Sequence, residues 1–287
     1  MATEKNVSEL IKDFITILQS RGRASATILA YRKDLEQLAS SLSEKGKTTP
    51  DSVRSSDIED FKTTMQKGGY TDKSVSRKLN AIKTFFTWLV SQKLIENDPA
   101  APVAHPKYQN PPPRILSRME YRALRDAARS DLRIRAIIEL MLQTGVRIGE
   151  VANLRLEDIS DKIFIRAYES QPQREVPLNE TARDALNQYI AIRQKTTSDH
   201  IFVTKTGKPL LVRNIRSAID RYFREAGIEK AKVNDLRNTF IVHQLKSGVD
   251  IVTVSKIAGH KRLSTTEHYL QFIDKREGKK GTKLEEL

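Results

Sequence analysis

The stretch Ile257-Ala258-Gly259-His260-Lys261-Arg262-Leu263-Ser264-Thr265-Thr266-Glu267-His268-Tyr269 decides how this chain is read. It opens at the end of an apolar helical run that starts near Asp250, and glycine at 259 is a residue that ends helices. His260 then falls in a loop, where an imidazole can donate to an anion or move a proton. Ser264-Thr265-Thr266 begins a further helix, predicted over 264–274, which carries Tyr269. Working outward, Asn234-Asp235-Leu236-Arg237 starts another predicted helix, over 234–247. There residues 234 and 237 share a face at i,i+3 spacing. Further upstream, Thr144-Gly145-Val146-Arg147-Ile148-Gly149-Glu150 places Arg147 after a glycine turn, with Glu150 one turn later and able to brace it.

Each of these residues has a plain structural reading when taken singly. Arg147 reads as a surface arginine capping a loop, Asn234 as an N-cap, and His260 as a bland loop histidine. Tyr269 reads as an amphipathic ring with its hydroxyl in water. Taken together they suggest a phosphate grip with a nucleophile beside it. A guanidinium forks two donors onto phosphate oxygens, and a helix N-terminus adds positive potential. A phenol of pKa about 10 needs nearby cations and an acid–base partner before it attacks anything.

Composition sets the frame for that reading. The chain has 287 residues, 38% hydrophobic, enough for two domains with real cores. It has no cysteine, which excludes disulfides, thiol catalysis and zinc knuckles and fits a reducing cytosol. No apolar run reaches the length of a membrane span, and Met1-Ala2-Thr3-Glu4-Lys5 lacks the pattern of a secretory signal. The net charge is +14, from 50 Lys and Arg against 36 Asp and Glu. Residues 1–100 hold 16 basic and 13 acidic residues, so +11 of the charge lies in 101–287. A surface of that sign can displace counterions from nucleic-acid phosphates, and it also occurs on proteins that bind none.

Six of the ten prolines fall between Pro99 and Pro113, so residues 99–114 read as an extended linker. Residues 1–98 before it form a predicted helical domain. Its helices run over about 7–20, about 25–44, from a capping box at Ser56-Asp57-Ile58-Glu59 to Gly68-Gly69, and over about 72–95. The last carries Lys73, Arg77, Lys78 and Lys83 on its polar face. After the linker comes a capping box at Ser117-Arg118-Met119-Glu120. Helices follow over 117–129 and 131–143 and from Arg147, then a β-hairpin over 162–178. Helices over 180–194, 211–226, 234–247, 250–258 and 264–274 follow it, with His200-Ile201-Phe202-Val203 as one more short strand. The predicted fold is thus mainly α with a small hairpin in the second domain.

The order and spacing of these segments resemble the tyrosine recombinase family, in its Xer-like and phage-integrase-like members, over nearly the whole chain. Thr144 to Leu154 is similar to the segment bearing the family's first catalytic arginine. Asp235 to Phe240 is similar to the second, and Ile257 to Tyr269 to the histidine-to-tyrosine segment. The resemblance implies a helical core-binding domain at 1–98, the linker at 99–114, and a catalytic domain at 115–274. It also implies a tail at 275–287, either polar and unanchored or docked on a neighbouring subunit through Leu284 and Leu287. It implies a site-specific DNA recombinase that clamps double-stranded DNA, working as a homotetramer or beside a related recombinase through a Holliday junction. Tyr269 would attack the scissile phosphate to give a 3′-phosphotyrosyl link. Arg147 and Arg237 would hold its oxygens, His260 would support them or take the tyrosine proton, and Asn234 would be a weaker donor. No metal, cofactor or ATP is implied, and the setting would be cytoplasmic, at the nucleoid. Lys73, Arg77, Lys78 and Arg262 are the expected phosphate contacts.

Two departures stand out. Asn234 occupies a place where the family has histidine, and it cannot shuttle a proton. The hairpin stretch Ala167 to Gln173 lacks the family's general-acid lysine. Lys162 and Arg166 are the nearest cations, neither well aligned. These departures motivate the alternative of a DNA-binding protein on the same fold with weak or lost cleavage.

Overall fold

The computed structural model describes residues 5–109, 111–167 and 171–273. The chain forms two compact units that divide between residues 111 and 112, inside the proline-rich stretch. The tail with Leu284 and Leu287, and Tyr168, Glu169 and Ser170 of the hairpin, lie outside the described residues.

The first unit holds four helices: α1 (Val7–Ser20), α2 (Ser25–Glu44), α3 (Ser55–Lys67) and α4 (Asp72–Ser91). Their apolar positions recur at helical spacing and meet in one core, where Phe14 packs edge-on against Phe85 with ring centroids 5.5 Å apart. Two boundaries differ from the sequence reading. The expected box at Ser56–Glu59 does not form; α3 begins one residue earlier, and the Asp57 carboxylate accepts from Arg54 N at 2.8 Å. Asp57 is drawn there because Lys47 Nζ also holds it, at 2.6 Å. Helix α4 stops at Ser91 rather than 95, because Lys93 turns left-handed (φ 56°) and Leu94 N bonds back to Leu89 O.

The start of the predicted linker packs onto this unit. Ala100 and Val103 are buried in its core, and Lys83 Nζ donates to Ala101 O at 2.9 Å.

The second unit begins with a properly boxed helix. Ser117 Oγ accepts from Glu120 N, and the Glu120 carboxylate accepts from Ser117 N at 2.7 Å, opening α5 (Arg118–Ala127). Then come α6 (Leu132–Thr144) and the five-residue α7 (Ile148–Ala152). Strands β1 (Lys162–Ile165) and β2 (Arg174–Pro177) pair antiparallel, Ile163 opposite Val176 and Ile165 opposite Arg174. The rest is α8 (Glu180–Ile192), α9 (Val212–Glu225), α10 (Val233–Lys246), α11 (Ile251–Ala258) and α12 (Leu263–Glu267). Helices α6 and α10 pack on each other as the centre of the core. Gly145 ends α6 at φ 65°, and a Cβ there would lie 2.3 Å from the Phe240 ring, so the α6–α10 contact requires glycine.

Two expectations need correcting. Residues 200–203 make no strand; they contribute only isolated bridges, Arg155 to His200 and Val203 to Pro209. The final helix is shorter than 264–274. Tyr269 N bonds Thr266 O at 2.9 Å, an i→i−3 turn, and a 3₁₀ turn follows at Leu270–Phe272. That tightening turns the Tyr269 ring inward, where it is 8% exposed.

Candidate active site

The site is built around one carboxylate and one helix end. Glu150, whose side chain is fully buried, accepts from Arg147 N at 2.8 Å and Arg147 Nη1 at 3.0 Å. Arg174, from β2, grips the same carboxylate with both Nη atoms at 2.8 Å. The last carbonyls of α11 take the remaining arginine donors. Arg174 Nε donates to Ile257 O at 2.7 Å, Arg147 to Ala258 O and Gly259 O at 3.1 and 2.7 Å. Arg237, 4% exposed, donates to Ala258 O at 2.7 Å and to Gly145 O. A helix C-terminus carries unpaired carbonyls and partial negative charge, so it is a fitting anchor for cations.

Three guanidiniums against one carboxylate leave a surplus of +2 (3 − 1) in a largely buried cluster. The low local dielectric makes that surplus costly and favours binding of an anion beside it. Burial pushes Glu150 upward, but the Arg174 and Arg147 bonds and charges outweigh it and hold the carboxyl below its usual range. Burial, then repulsion from Arg147, lowers Arg237 to about 9, so it stays charged at neutral pH. Helix α7 has only five residues. The positive potential therefore comes from the side chains rather than from the helix start on which the sequence reading leaned.

His260 follows Gly259, which caps α11 at φ 66° and lies against Arg174; a Cβ at 259 would meet that guanidinium at 2.9 Å. His260 Nδ1 shares a 2.7 Å hydrogen bond with Thr266 Oγ1. Burial, then the charges of Arg237, Arg147 and Arg174, lowers it to about 4, so it is neutral at pH 7. Its ring lies nearly parallel to that of Tyr269, centroids 6.2 Å apart. The Tyr269 hydroxyl donates to Asn238 Oδ1 at 2.9 Å. Burial raises the phenol above its ordinary value, and Arg237 and Arg147 offset only part of the rise.

The structure thus brings Arg147, Arg237, His260 and Tyr269 together. Asn234, exposed in the first turn of α10, donates to Asn238 Oδ1 at 3.2 Å and is directed there rather than at the arginines. Lys162 pairs with Glu175, and Arg166 with Glu157 and Asp158, so neither hairpin cation joins the cluster. Sequence reasoning missed Arg174, Asn238 and Thr266. For Arg174 a signal existed: strand alternation puts 174 on the same face as Val176, which is buried.

The four expected phosphate contacts divide. Lys73 and Arg262 are exposed. Arg77, with a side chain 48% exposed, forks onto Asp34. Lys78 is corrected: it is 5% exposed, its ammonium bonded to Asp34 Oδ1 at 2.9 Å and to Gln37. Asp34 is itself 1% exposed, and a buried carboxylate draws cations inward. Among the described residues no helix is long and apolar enough to cross a membrane, and no cluster of His, Cys, Asp or Glu is placed to hold a metal ion.

The family model described as the phage integrase family matches residues 114–276, and that of the phage integrase N-terminal SAM-like domain matches residues 11–93. A tyrosine recombinase XerC of Thermodesulfovibrio yellowstonii is 31% identical over 281 residues, spanning 92% of each chain. A XerD of Listeria monocytogenes is 29% identical over 92% of this chain and 94% of its own. The solved structure of a lambda integrase dimer bound to a COC′ core site shares the fold at a TM-score of 0.76 and 16% identity, covering 91% of this chain and 97% of that one. The fold is that of the tyrosine recombinases, which are DNA strand transferases. The chain belongs to the phage integrase family, among its tyrosine recombinases.

Proposed function

We propose that Tyr269 is the nucleophile with which this site-specific recombinase opens DNA, and that the Glu150-braced arginines hold the phosphate it attacks. The observation that carries the reading is the buried surplus of positive charge beside a protonated phenol. A phosphodiester entering there offsets that surplus. Burial, then the repulsion of the three arginines, keeps His260 neutral; the phosphate's charge offsets that repulsion and makes the imidazole a better proton acceptor.

The reaction then runs in balanced steps. The Tyr269 oxygen forms a bond to phosphorus as its proton passes to His260. The bond to the 5′-oxygen breaks, leaving a 3′-phosphotyrosyl link, and the departing 5′-oxygen takes a proton from solvent water to become a 5′-hydroxyl. Arg147 and Arg237 stabilise the charge on the phosphorane's oxygens. Arg174 acts through Glu150, holding Arg147 in place. A 5′-hydroxyl from a second duplex reverses the step and joins new partners. Strand exchange proceeds through a Holliday junction in a homotetramer or beside a related recombinase; a lambda integrase tetramer bound to a Holliday junction has this fold. Residues 1–98 and 115–274 each bind the duplex, with Lys73, Arg77 and Arg262 on its phosphates, in the cytoplasm at the nucleoid.

The test is covalent capture. A target duplex is selected from a randomised pool, nicked near the cleavage point, and incubated with the protein. A protein–DNA adduct forms with the wild type and is abolished by Tyr269→Phe; an adduct of equal yield in that variant rejects Tyr269 as nucleophile.

A further inference from the structure

The Asn238 amide lies between Tyr269 and Asn234, and its surroundings fix which way round it sits. Its nitrogen donates to Arg114 O at 3.4 Å and to Asp235 Oδ1 at 3.3 Å. The Arg114 carbonyl can only accept, which settles the nitrogen on that side. The oxygen therefore faces the other way, accepting from Tyr269 Oη at 2.9 Å and Asn234 Nδ2 at 3.2 Å. Asn238 is 4% exposed and Tyr269 8%, so water does not compete freely for this bond. Asn234, the residue that departs from the family pattern, reaches the nucleophile's partner rather than the phosphate pocket.

We propose that Asn238 is a positioning residue for the nucleophile: its oxygen fixes the Tyr269 hydroxyl as a donor in the DNA-free protein, and Asn234 steadies that oxygen from the solvent side. An amide oxygen accepts a hydrogen bond but does not take the proton at neutral pH. The phenol is thus held protonated, and its hydrogen must leave Asn238 before it can pass to a base. The charged and titratable groups acting on Tyr269 are Arg237, Arg147 and Asp235, with the stacked His260 beside it. The functional meaning rests on Tyr269 being the nucleophile, but the test does not.

The experiment follows hydroxyl hydrogen exchange in the full-length chain without DNA, using tyrosine labelled with ¹³C at Cζ and the deuterium isotope shift. Tyr269 exchanges at least about tenfold more slowly than Tyr70 and Tyr108, which are 40% and 41% exposed. Asn238→Leu removes the acceptor and abolishes that protection. Asn238→Asp loses both nitrogen bonds but keeps an oxygen toward Tyr269, and the protection survives. Wild-type exchange as fast as that of Tyr70 overturns the proposal without any variant, so misfolding of Asn238→Leu cannot shelter it. Equal loss of protection in the Leu and Asp variants also overturns it, because Asn238 would then act only through Asp235 and Arg114. Failure here leaves the Tyr269→Phe adduct result untouched, and the two outcomes are read separately.

Discussion

Both units of this protein bury a carboxylate among cations, and the two clusters do opposite things. In the first unit Asp34 gathers Arg77 and Lys78. Arg77 stays half in water, and Lys78 satisfies its ammonium on Asp34 and Gln37. That cluster staples α2 to α4. In the second unit Glu150 gathers Arg147 and Arg174, while Arg237 hangs on helix carbonyls without a carboxylate of its own. The difference lies in surplus and enclosure. A cation pair around one carboxylate, partly open to solvent, is a structural joint. Two guanidiniums on one carboxylate with a third beside them on carbonyls, closed in and next to a phenol, form a site fitted to an anion.

The largest expected effect breaks the second cluster at its hub. Glu150→Gln keeps the shape but leaves three guanidiniums unopposed, a cost of about 3–5 kcal/mol in denaturant unfolding. Adduct formation at saturating DNA falls with it. Asp34→Asn also lowers stability, yet the rate of adduct formation at saturating DNA holds. Equal loss of chemistry in both variants would erase the distinction between joint and site. Next, Arg237→Gln slows adduct formation roughly 10²–10³-fold, as expected for removing one preorganised charge from a phosphoryl-transfer site. Lys78→Gln leaves that rate unchanged.

Much of this contrast was hidden in the sequence, for identifiable reasons. Helical periodicity located the helices of both units, and glycine chemistry placed the turns at 145 and 259. Arg147, Arg237, His260 and Tyr269 were legible because they recur in one order over long intervals. Arg174 is not legible there because a strand arginine looks solvent-facing until its partner Glu150, 24 residues away, is known to be buried. Lys78 reads as solvent-facing for the mirror-image reason: Asp34, on another helix, pulls it inward. Asn238 adjoins Arg237 in sequence, but its use depends on where the chain returns at Tyr269. Pairings between distant segments are set by tertiary packing, and no local pattern announces them.

A smaller effect separates the clusters by pH. His260 is lowered from 6.5 to about 4 in the folded protein. Its neutral form therefore lends stability that is fully present above 6.5 and lost as pH falls toward 4, because the unfolded chain takes up the proton first. After allowance for partial solvent screening the loss is about 1–2 kcal/mol. Glu150, lowered below 4.5, loses stability in the same direction at still lower pH. Calorimetric melting between pH 7 and 4 shows the slope, and His260→Gln flattens its upper part. An unchanged slope in that variant would place the acid sensitivity elsewhere.

The smallest effect concerns the surface. Lys73→Ala and Arg262→Ala each reduce the slope of log affinity against log salt by about 0.9, one phosphate contact each. Lys78→Ala leaves the slope alone while lowering stability, as a buried joint should. A slope that drops for Lys78 as it does for Lys73 would return Lys78 to the DNA surface.

The most direct measurement of the central claim is the chemical identity of the trapped bond. Adduct formed on the nicked target is digested with nuclease and protease, and the nucleotide-bearing peptide is sequenced by mass spectrometry. The account predicts a single modified residue, Tyr269, carrying the 3′-phosphate of the cleaved strand. A nucleotide on any other residue, or a 5′-phosphate on Tyr269, would contradict it.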